Sequence, residues 1–362
     1  MERIRKSCSE KRMNIMPKIE DIDKNFKLQT ELNKSDIVFC SALKEPFEIY
    51  GVTYSEGKYR RMPKSVAEAT SEGVTFLHAN TAGGRVRFAT DSSYIAISVK
   101  YGNIGKMPHF ALTGSAGFDM YVDSAYNSTF VPPFHVSGGY ESLFDFKEKK
   151  MREITINFPL YSEVCELYIG LQQECEIKKA TPYKYGLPIV YYGHSITQGG
   201  CASRPGNAYP AIISRRFNID HINLGFSGNG KGEQVMADYV ASRGMKLFVM
   251  DYDHNAPNAE HLQNTHENMF RTVRASHPDI PIILMTTTTK PRYSDGRERR
   301  RDIIYTTYKN ALENGDKNVY FWDGGKEFAP YDEYGTVEGC HPNDFGFHGI
   351  AKSLGDLIEK LI

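Results

Sequence analysis

Ser195 is the residue of this chain whose setting best suits covalent chemistry. It stands in the run GHSITQGG, residues 193–200, directly after the apolar run Ile189–Tyr192. Glycines in such a run let the backbone turn tightly where a strand ends. The run is not the G-x-S-x-G turn of the α/β-hydrolases, because Thr197 occupies the final glycine position. A serine in a glycine-rich loop is also a common turn residue, so other residues must decide between a turn and a nucleophile.

Two further loops carry groups that could stabilise a developing negative charge. The run GFSGNG, residues 225–230, offers backbone amides that either face an oxyanion or form a flexible loop. Asn255 follows the apolar run Leu247–Tyr252, so its side-chain amide could be aimed at the same place. The alternative for Asn255 is the N-cap of a helix that begins near Pro257.

A candidate base lies near the C-terminus. In the run TVEGCHPND, residues 336–344, Glu338 precedes His341 by three residues. Pro342 favours an extended backbone at His341, which suits a side chain that must keep one orientation. A histidine beside a proline in a loop is also a common surface residue, and only its combination with the other loops favours catalysis.

The second half of the chain has the elements needed to bring these loops together. Apolar strand-like runs alternate there with amphipathic helical patterns, which predicts βαβ units and a parallel sheet with helices on both faces. In such a sheet, active groups lie at the carboxyl ends of the strands. The predicted strands are Ile189–Tyr192, His221–Leu224, Leu247–Tyr252, Ile282–Thr286 and Val319–Trp322, and the predicted helices are Tyr209–Phe217, Glu233–Ser242, Ala259–Ala275, Arg300–Asn314 and a closing helix over residues 347–361.

The first half of the chain is predicted to be an antiparallel β-sandwich of jelly-roll kind. Short alternating runs recur at roughly ten-residue spacing between Gly, Ser, Asn and Pro clusters. The predicted strands include Val74–His78, Arg85–Ala89, Tyr94–Val99, Gly117–Val122 and Glu153–Asn157. The expected organisation is an N-terminal extension over residues 1–35, partly helical and peripheral, a β-sandwich domain over residues 36–182 and an α/β domain over residues 186–362.

Taken together, the loops resemble a known family. The serine, glycine, asparagine and histidine loops have the types and order of the four blocks of the SGNH (GDSL-like) hydrolase superfamily. The run GFDMY, residues 117–121, resembles the G-x-D-L-Y signature of the β-sandwich domain that precedes one branch of these enzymes. The resemblance covers about residues 40 to 362. It implies a three-layer α/β/α hydrolase domain behind a β-sandwich.

The resemblance also implies roles for individual residues. Ser195 would attack an ester carbonyl, His341 would remove its proton and Glu338 would orient the imidazole. The backbone amides of Ser195 and Gly228, with the side chain of Asn255, would form the oxyanion hole. An acyl-enzyme and a water would complete the hydrolysis.

Two positions depart from the family pattern. The family usually has Asp or Ser where His194 stands, which makes His194 a candidate substrate-binding residue. It usually has Asp where Glu338 stands. Asp344 or Asp323 could orient His341 instead, or the site could work as a Ser-His dyad.

Other candidates have plainer explanations. The aromatic side chains of Tyr121, Tyr140, Phe134 and Phe130 could stack on a sugar, with Tyr121 the candidate substrate-binding residue, although a sandwich needs an aromatic core in any case. Residues His194, Asp251, Asp253 and His254 could be imagined as a metal site, but alternating acids at a strand end are commonly loop caps, and no metal or cofactor is expected. Cys201 and Cys340 are expected to be small buried residues rather than thiol nucleophiles.

Bulk properties exclude several classes of function. Lys plus Arg equals Asp plus Glu at 44 each, so no net field favours nucleic acid or an anionic membrane. The basic run Arg297–Arg301 is interspersed with acids and is expected to be a solvated helix face. The six cysteines form no CxxC pair, and no apolar run suits a membrane span or a signal peptide. A cytoplasmic location is therefore expected.

The sequence favours a serine esterase that hydrolyses short acyl esters, with an O-acetyl group on a carbohydrate as the leading substrate. The expected partners are small-molecule or oligosaccharide esters, without nucleic acid or membrane, and a homo-oligomer is possible. The alternatives are an acyltransferase that uses the same acyl-enzyme, and an inactive module that binds glycans.

Overall fold

The fold is taken from a computed structural model, which describes residue 23, residues 32–288 and residues 296–362. The extension expected over residues 1–35 lies almost wholly outside the described residues. The described chain forms an N-terminal β-rich domain followed by an α/β domain with a parallel sheet, so the predicted fold class is confirmed.

The N-terminal domain is built from two large antiparallel sheets and the two-stranded antiparallel sheet β3-β4. One sheet has the order β1-β11-β6-β9 and the other has the order β12-β5-β10-β7-β8, with β2 also paired to β5. Val86, Phe88, Ile95, Ile97 and Ile169 belong to one buried cluster between the sheets. The strands are β1 (Ile37–Ser41), β2 (Glu48–Tyr50), β3 (Thr53–Ser55), β4 (Lys58–Arg60), β5 (Arg85–Thr90), β6 (Tyr94–Tyr101), β7 (Phe118–Val122), β8 (Ala125–Phe130), β9 (Gly139–Asp145), β10 (Arg152–Asn157), β11 (Val164–Gln172) and β12 (Ile177–Lys178).

One predicted strand of this domain is wrong. Three short helices occur here, α1 (Lys64–Thr70), α2 (Glu72–Leu77) and α3 (Leu112–Ser115), and α2 replaces the strand expected over Val74–His78. Ser71 caps α2, because its side chain accepts a hydrogen bond from the backbone N–H of Val74 at 3.2 Å. This cap and the burial of Val74 and Leu77 on one helical face outweigh the β-propensity of a short apolar run.

The second domain contains a five-stranded parallel sheet with the order β14-β13-β15-β16-β17. Its strands are almost continuously apolar because both faces of the sheet are covered. The strands are β13 (Ile189–Gly193), β14 (His221–Gly225), β15 (Leu247–Asp251), β16 (Ile282–Met285) and β17 (Val319–Trp322), and the helices are α4 (Ser195–Gln198), α5 (Tyr209–Phe217), α6 (Gln234–Ala241), α7 (Ala259–Ser276), α8 (Arg297–Glu313), α9 (Gly324–Phe328) and α10 (Asp344–Ile358).

Alternate residues of these strands point into two different cores. Val190 and Tyr192 pack in the cluster that includes Met236 of α6, whereas Ile189 and Tyr191 pack in the cluster that includes Phe347 of α10. This alternation is the period-two geometry of a strand. It gives the three-layer arrangement in which the sheet lies between two layers of helices.

The arginine run at the start of α8 is not a wholly solvated face, so that expectation is wrong in part. Arg300 is 2% exposed and its Nη1 donates to the backbone carbonyl oxygens of Asp253 and Ala256, the latter at 2.9 Å. Arg301 is more exposed and binds Asp323 at 2.7 Å. Arg300 therefore holds the segment that follows β15, which carries Asn255.

No helix in the described part of the chain is both long enough and apolar enough to cross a membrane.

Candidate active site

Ser195 begins the short helix α4 directly after β13. His194 is the N-cap, and its Nδ1 accepts the backbone N–H of Ile196 at 3.1 Å. The helix ends after one turn at Gly199, whose φ of +107° suits only glycine readily. A Cβ on Gly200 would lie 3.0 Å from the Ser195 carbonyl oxygen and 3.2 Å from Cδ2 of His341. The glycines of this loop thus let the backbone fold closely around the serine.

A hydrogen-bonded chain joins Ser195, His341 and Glu338. Ser195 Oγ lies 2.9 Å from His341 Nε2, and His341 Nδ1 lies 2.6 Å from Glu338 Oε1. An ionised carboxylate only accepts hydrogen bonds, so Nδ1 carries a proton and Nε2 is left to accept the serine proton. The structure therefore brings together the serine, histidine and acid that the sequence predicts, in the arrangement of a general-base triad.

The Glu338 carboxylate is held by more than the imidazole. Glu338 Oε1 also accepts the backbone N–H of His341 at 2.7 Å. Burial raises the pKa of Glu338, but the two hydrogen bonds from His341 outweigh it, so the pKa lies below its ordinary value. Val337 N–H donates to the His341 carbonyl oxygen at 2.9 Å, which closes the loop between the acid and the base.

The two alternative acids are engaged elsewhere. Asp344 Oδ1 accepts the backbone N–H of Ser203 at 2.8 Å, at the start of α10. Asp323 caps α9 and binds Arg301. Of the three acids considered, the structure places Glu338 against His341.

Two backbone hydrogen-bond donors at this edge of the sheet have no acceptor in the described chain. The backbone N–H groups of Ser195 and Gly228 have no partner there, whereas the neighbouring amides of Ser227 and Gly230 are bonded to Gln198 Oε1 and Asn255 Oδ1 at 3.0 and 3.2 Å. Gly228 is exposed and has a φ of +70°. These groups follow β13 and β14, whose carboxyl ends are adjacent.

Asn255 is placed by the third strand of this edge. Its Oδ1 accepts the Gly230 N–H, which leaves Nδ2 without an acceptor among the described residues. Asn255 is not the helix N-cap; that role belongs to Asn258, whose Oδ1 accepts the backbone N–H of His261 at 2.8 Å. The N-cap alternative for Asn255 is therefore wrong, and its free Nδ2 suits an oxyanion donor.

The expectation that His194 contacts substrate is not supported, because the side chain is only 2% exposed. Its Nε2 lies 3.1 Å from Asp251 Oδ1, while Thr197 Oγ1 donates to Asp251 Oδ2 at 2.9 Å. Asp251 therefore holds α4 through two side chains, one on each side of Ser195. His194 acts on the position of the nucleophile rather than on a ligand.

Tyr121 is likewise buried, with 3% of its surface exposed. Its hydroxyl bonds to Arg204, and the Arg215 guanidinium lies 4.2 Å from the ring centroid. A ring covered in this way has no free face for a sugar, so the expectation of a substrate-binding Tyr121 is corrected to a contact between the two domains.

Three of the four residues considered as a metal site lie close together. Donor atoms of His194, Asp251 and Asp253 lie within 4.8 Å of one another in the interior. Tyr209 also donates to Asp251 Oδ2, at 3.3 Å, so both Asp251 oxygens already accept hydrogen bonds from the protein. The arrangement fits a network that positions α4.

The N-terminal domain contributes residues that the sequence motifs do not reveal. Tyr161 donates its hydroxyl to the Ser195 carbonyl oxygen at 3.2 Å, and the exposed ring of His109 lies 5.8 Å from that of His341. Arg61 binds the carbonyl oxygens of Gly225 and Asn223 and stacks 4.5 Å from the Phe226 centroid. No local pattern marks these three residues, because their partners are distant in sequence.

The parallel sheet carries a Ser-His-Glu hydrogen-bonded chain at its carboxyl edge. Residues 187–359 match the GDSL-like lipase/acylhydrolase family, and residues 37–177 match the N-terminal domain of SGNH-hydrolase-type esterases. A GDSL-like protein from Bacteroides ovatus is 30% identical, with a TM-score of 0.80 over 90% of this chain and 98% of that one. The protein belongs to the GDSL-like (SGNH) hydrolase family.

More distant structures share the fold. A salicylyl-acyltransferase from a tetracycline biosynthetic pathway is 19% identical, with a TM-score of 0.75 over 91% of this chain and 98% of that chain. An acetyl xylan esterase from Butyrivibrio proteoclasticus is 13% identical, with a TM-score of 0.57 over 90% and 98%. A comparison with curated protein sequences gives no significant match.

Proposed function

We propose that this protein is a serine esterase that removes short acyl groups, O-acetyl above all, from a carbohydrate. The observation that carries the proposal is the chain from Ser195 Oγ through His341 to Glu338, at 2.9 and 2.6 Å. Family membership supports an esterase. The acetyl and carbohydrate parts rest on the resemblance of the fold to carbohydrate esterases, including one that acts on acetyl xylan.

The first half of the reaction forms an ester on Ser195. His341 Nε2 takes the hydroxyl proton as Oγ attacks the acyl carbon. The developing oxyanion accepts hydrogen bonds from the amides of Ser195 and Gly228 and from Nδ2 of Asn255. The same Nε2 proton then passes to the departing alcohol oxygen, and the acyl group remains on Oγ.

The second half returns the enzyme to its starting state. A water gives a proton to His341 Nε2 and attacks the acyl carbon, and the collapse of the second tetrahedral intermediate returns the proton to Ser195 Oγ. The carboxylate of Glu338 accepts Nδ1–H throughout, so it stabilises the imidazolium that forms in each half. The acyl group leaves as a carboxylic acid.

The experiment compares hydrolysis of p-nitrophenyl esters of increasing chain length and of acetylated sugars. The wild type should release p-nitrophenol fastest from the shortest esters and acetate from at least one sugar. Ser195→Ala should abolish both, whereas Ser242→Ala, at an exposed serine, should keep the wild-type rate. Activity on long-chain esters alone, or activity retained in Ser195→Ala, would contradict the proposal.

An acyltransferase is the second candidate, since the acyltransferase fold neighbour aligns over nearly all of both chains. The two functions share the acyl-enzyme and differ in what attacks it. Adding a sugar or other alcohol acceptor to the same assay distinguishes them. An esterase gives acetate as the main product at all acceptor concentrations, whereas a transferase gives a new ester and little acetate.

A further inference from the structure

A small cavity lies between the two domains, away from Ser195. It has a volume of about 40 Å³ and is lined by β5 and β10 residues on one side and by α5 residues and the first residue of β14 on the other. His221 in its wall pairs with Ile189 at the amino end of β13, whereas the nucleophile loop follows Gly193 at the carboxyl end. At about 3.3 Å per residue, the cavity lies roughly 13 Å along the strand from that edge.

The cavity wall carries three arginines, Arg85, Arg87 and Arg215, and none of the described residues that line it is acidic. Arg85 is neutralised, because it binds Asp220 and donates to Tyr183 Oη at 2.7 Å. The other two arginines have no such ion pair, although Glu48 lies opposite Arg87 in the β2-β5 pairing and the buried Asp119 acts electrostatically on Arg215. Within the described chain, neither Arg87 nor Arg215 has a carboxylate at ion-pair distance.

The contacts of these two arginines are with neutral groups. Arg87 Nη2 donates to the Thr181 carbonyl oxygen at 2.9 Å, and its guanidinium lies 4.1 Å from the Tyr183 ring centroid. Arg215 Nη1 donates to the Ala211 carbonyl oxygen at 3.2 Å, and its guanidinium lies over Tyr121. The stacked rings orient both guanidinium groups without neutralising their charge.

Buried polar atoms in the same wall lack partners in the described chain. They are Nη1 of Arg87 and both ring nitrogens of His221, on residues that are 8% and 2% exposed. Burial, together with Arg85 and Arg215, holds the pKa of His221 well below its ordinary value, so the ring is neutral and has one N–H to donate. Leaving such donors unpaired is costly, and an anion in the cavity would satisfy them.

We propose that this cavity binds a small tetrahedral oxyanion of the phosphate or sulfate class, held by Arg87, Arg215 and the N–H of His221. Two guanidinium groups and a neutral imidazole suit an ion with several acceptor oxygens. The small volume suits a few-atom ion better than a sugar ring or an acyl chain. Because Arg87 belongs to the sandwich and Arg215 to the hydrolase domain, the ion would link the two domains.

Calorimetric titration of the intact protein with inorganic phosphate, in chloride buffer of matched ionic strength, tests the proposal directly. We expect saturable binding of one ion, and a melting temperature that rises with phosphate concentration as mass action requires. Sulfate should bind similarly, and acetate should bind more weakly. A phosphate monoester should also bind more weakly than the free ion, because the cavity is too small for the ester group. Absence of saturable phosphate binding, or acetate binding as tight as phosphate, overturns the proposal.

Charge-removing variants locate the site. Arg87→Gln and Arg215→Gln should each weaken phosphate binding about tenfold or more, because each loses a charge-assisted hydrogen bond. Arg299→Gln, at an exposed arginine, should bind like the wild type. Unchanged phosphate affinity in both cavity variants overturns the proposal, and should one variant not fold, the other and the wild-type titration decide.

Discussion

Ser195 and its partners show how few atoms the proposed chemistry requires. The hydroxyl, the imidazole and the carboxylate form one line of hydrogen bonds, and the donors for an oxyanion come from two backbone amides and one side chain. Asn255 is kept in place by a second contact, because its Oδ1 accepts the Gly230 N–H at 3.2 Å. Substitutions of single residues therefore test the proposed roles directly.

Asn255 provides the first of these tests. Asn255→Ala should lower kcat about 100-fold to 1000-fold, because one oxyanion donor is lost, with little change in KM. Asn258→Ala is the matched control. It removes the cap of α7 and should cost about 1 kcal/mol of stability while kcat stays near the wild-type value. Steady-state kinetics and thermal unfolding of both variants measure the contrast, and equal losses of kcat would contradict the assignment.

Glu338 provides the second test. Glu338→Gln replaces an acceptor with a group that can present a donor to Nδ1, which favours the wrong tautomer of His341 and should lower kcat on the order of 100-fold to 10,000-fold. Glu338→Asp should retain more activity than Glu338→Gln, because it keeps the carboxylate. Glu333→Gln, at an exposed acid close in sequence, is the control. Wild-type kinetics in Glu338→Gln would show that the site works as a dyad.

The sequence could predict Ser195 and His341 because each lies in a short motif, whereas the choice of Glu338 over Asp344 and Asp323 required the distances in the structure. The same reasoning failed for side chains whose role depends on burial. His194 and Tyr121 look like exposed binding residues in the sequence, but Asp251 and Arg204 draw them into the interior. His109 has no motif at all, since its proximity to His341 comes from the way the two domains meet.

At the scale of elements, two buried acids, Asp251 and Asp253, lie at the end of β15, close to the N-cap of the helix α4 that begins with Ser195. Asp253 is 1% exposed, and its Oδ2 accepts the Thr287 N–H at 2.9 Å while Oδ1 lacks a partner in the described chain. Burial and the nearby Asp251 carboxylate raise the pKa of Asp253 to about 6. Ionisation of the Asp253 carboxyl group therefore destabilises the folded state.

The sign of this effect can be tested by pH. A raised pKa in the folded state means that the contribution of Asp253 to stability is present at low pH and is lost as pH rises through about 6. Asp253→Asn should thus gain roughly 2 to 3 kcal/mol relative to the wild type between pH 4 and pH 8. Thermal or urea unfolding of both proteins across that range measures the difference. A difference that is constant with pH would contradict the shifted pKa.

The elements of the parallel sheet were predictable because their strands are continuous apolar runs and their helices have clear amphipathic faces. The predicted helix over Tyr209–Phe217 has the observed bounds. The prediction of a strand over Val74–His78 was wrong because a few apolar residues do not distinguish a short helix from a strand. Ser71, which caps the helix, was the better signal. The prediction that Arg300 is solvated was wrong because its carbonyl partners lie more than forty residues away in the sequence.

At the scale of the whole molecule, the N-terminal domain holds part of the site. Arg61 donates to carbonyl oxygens of Leu77, Asn223 and Gly225, and it lies under the loop that bears Gly228. The side chain of Asn229 in that loop fills the space beside Gly73 at the start of α2. The N-terminal domain therefore supports the loop over residues 225–230, which we call the oxyanion loop because its Gly228 N–H is a proposed oxyanion donor.

Arg61→Ala tests this support. It removes the side-chain donor from the carbonyl oxygens of Asn223 and Gly225 and one of the two donors to Leu77, and should cost about 3 kcal/mol of stability. It should also lower kcat, because the oxyanion loop loses its anchor. Lys100→Ala, which removes an exposed ion pair, should change stability by less than about 1 kcal/mol. Unfolding and steady-state kinetics give both values, and full activity in Arg61→Ala would separate the sandwich from the function of the site.

The central claim is that the reaction proceeds through an acyl group on Ser195. It is tested most directly by quenching the wild type during turnover of a short-chain ester and mapping the acylated peptide by mass spectrometry. The account predicts one acyl group on the peptide that contains Ser195, lost as the substrate is exhausted and absent in Ser195→Ala. Turnover without acylation of Ser195, together with undiminished hydrolysis by Ser195→Ala, would contradict it.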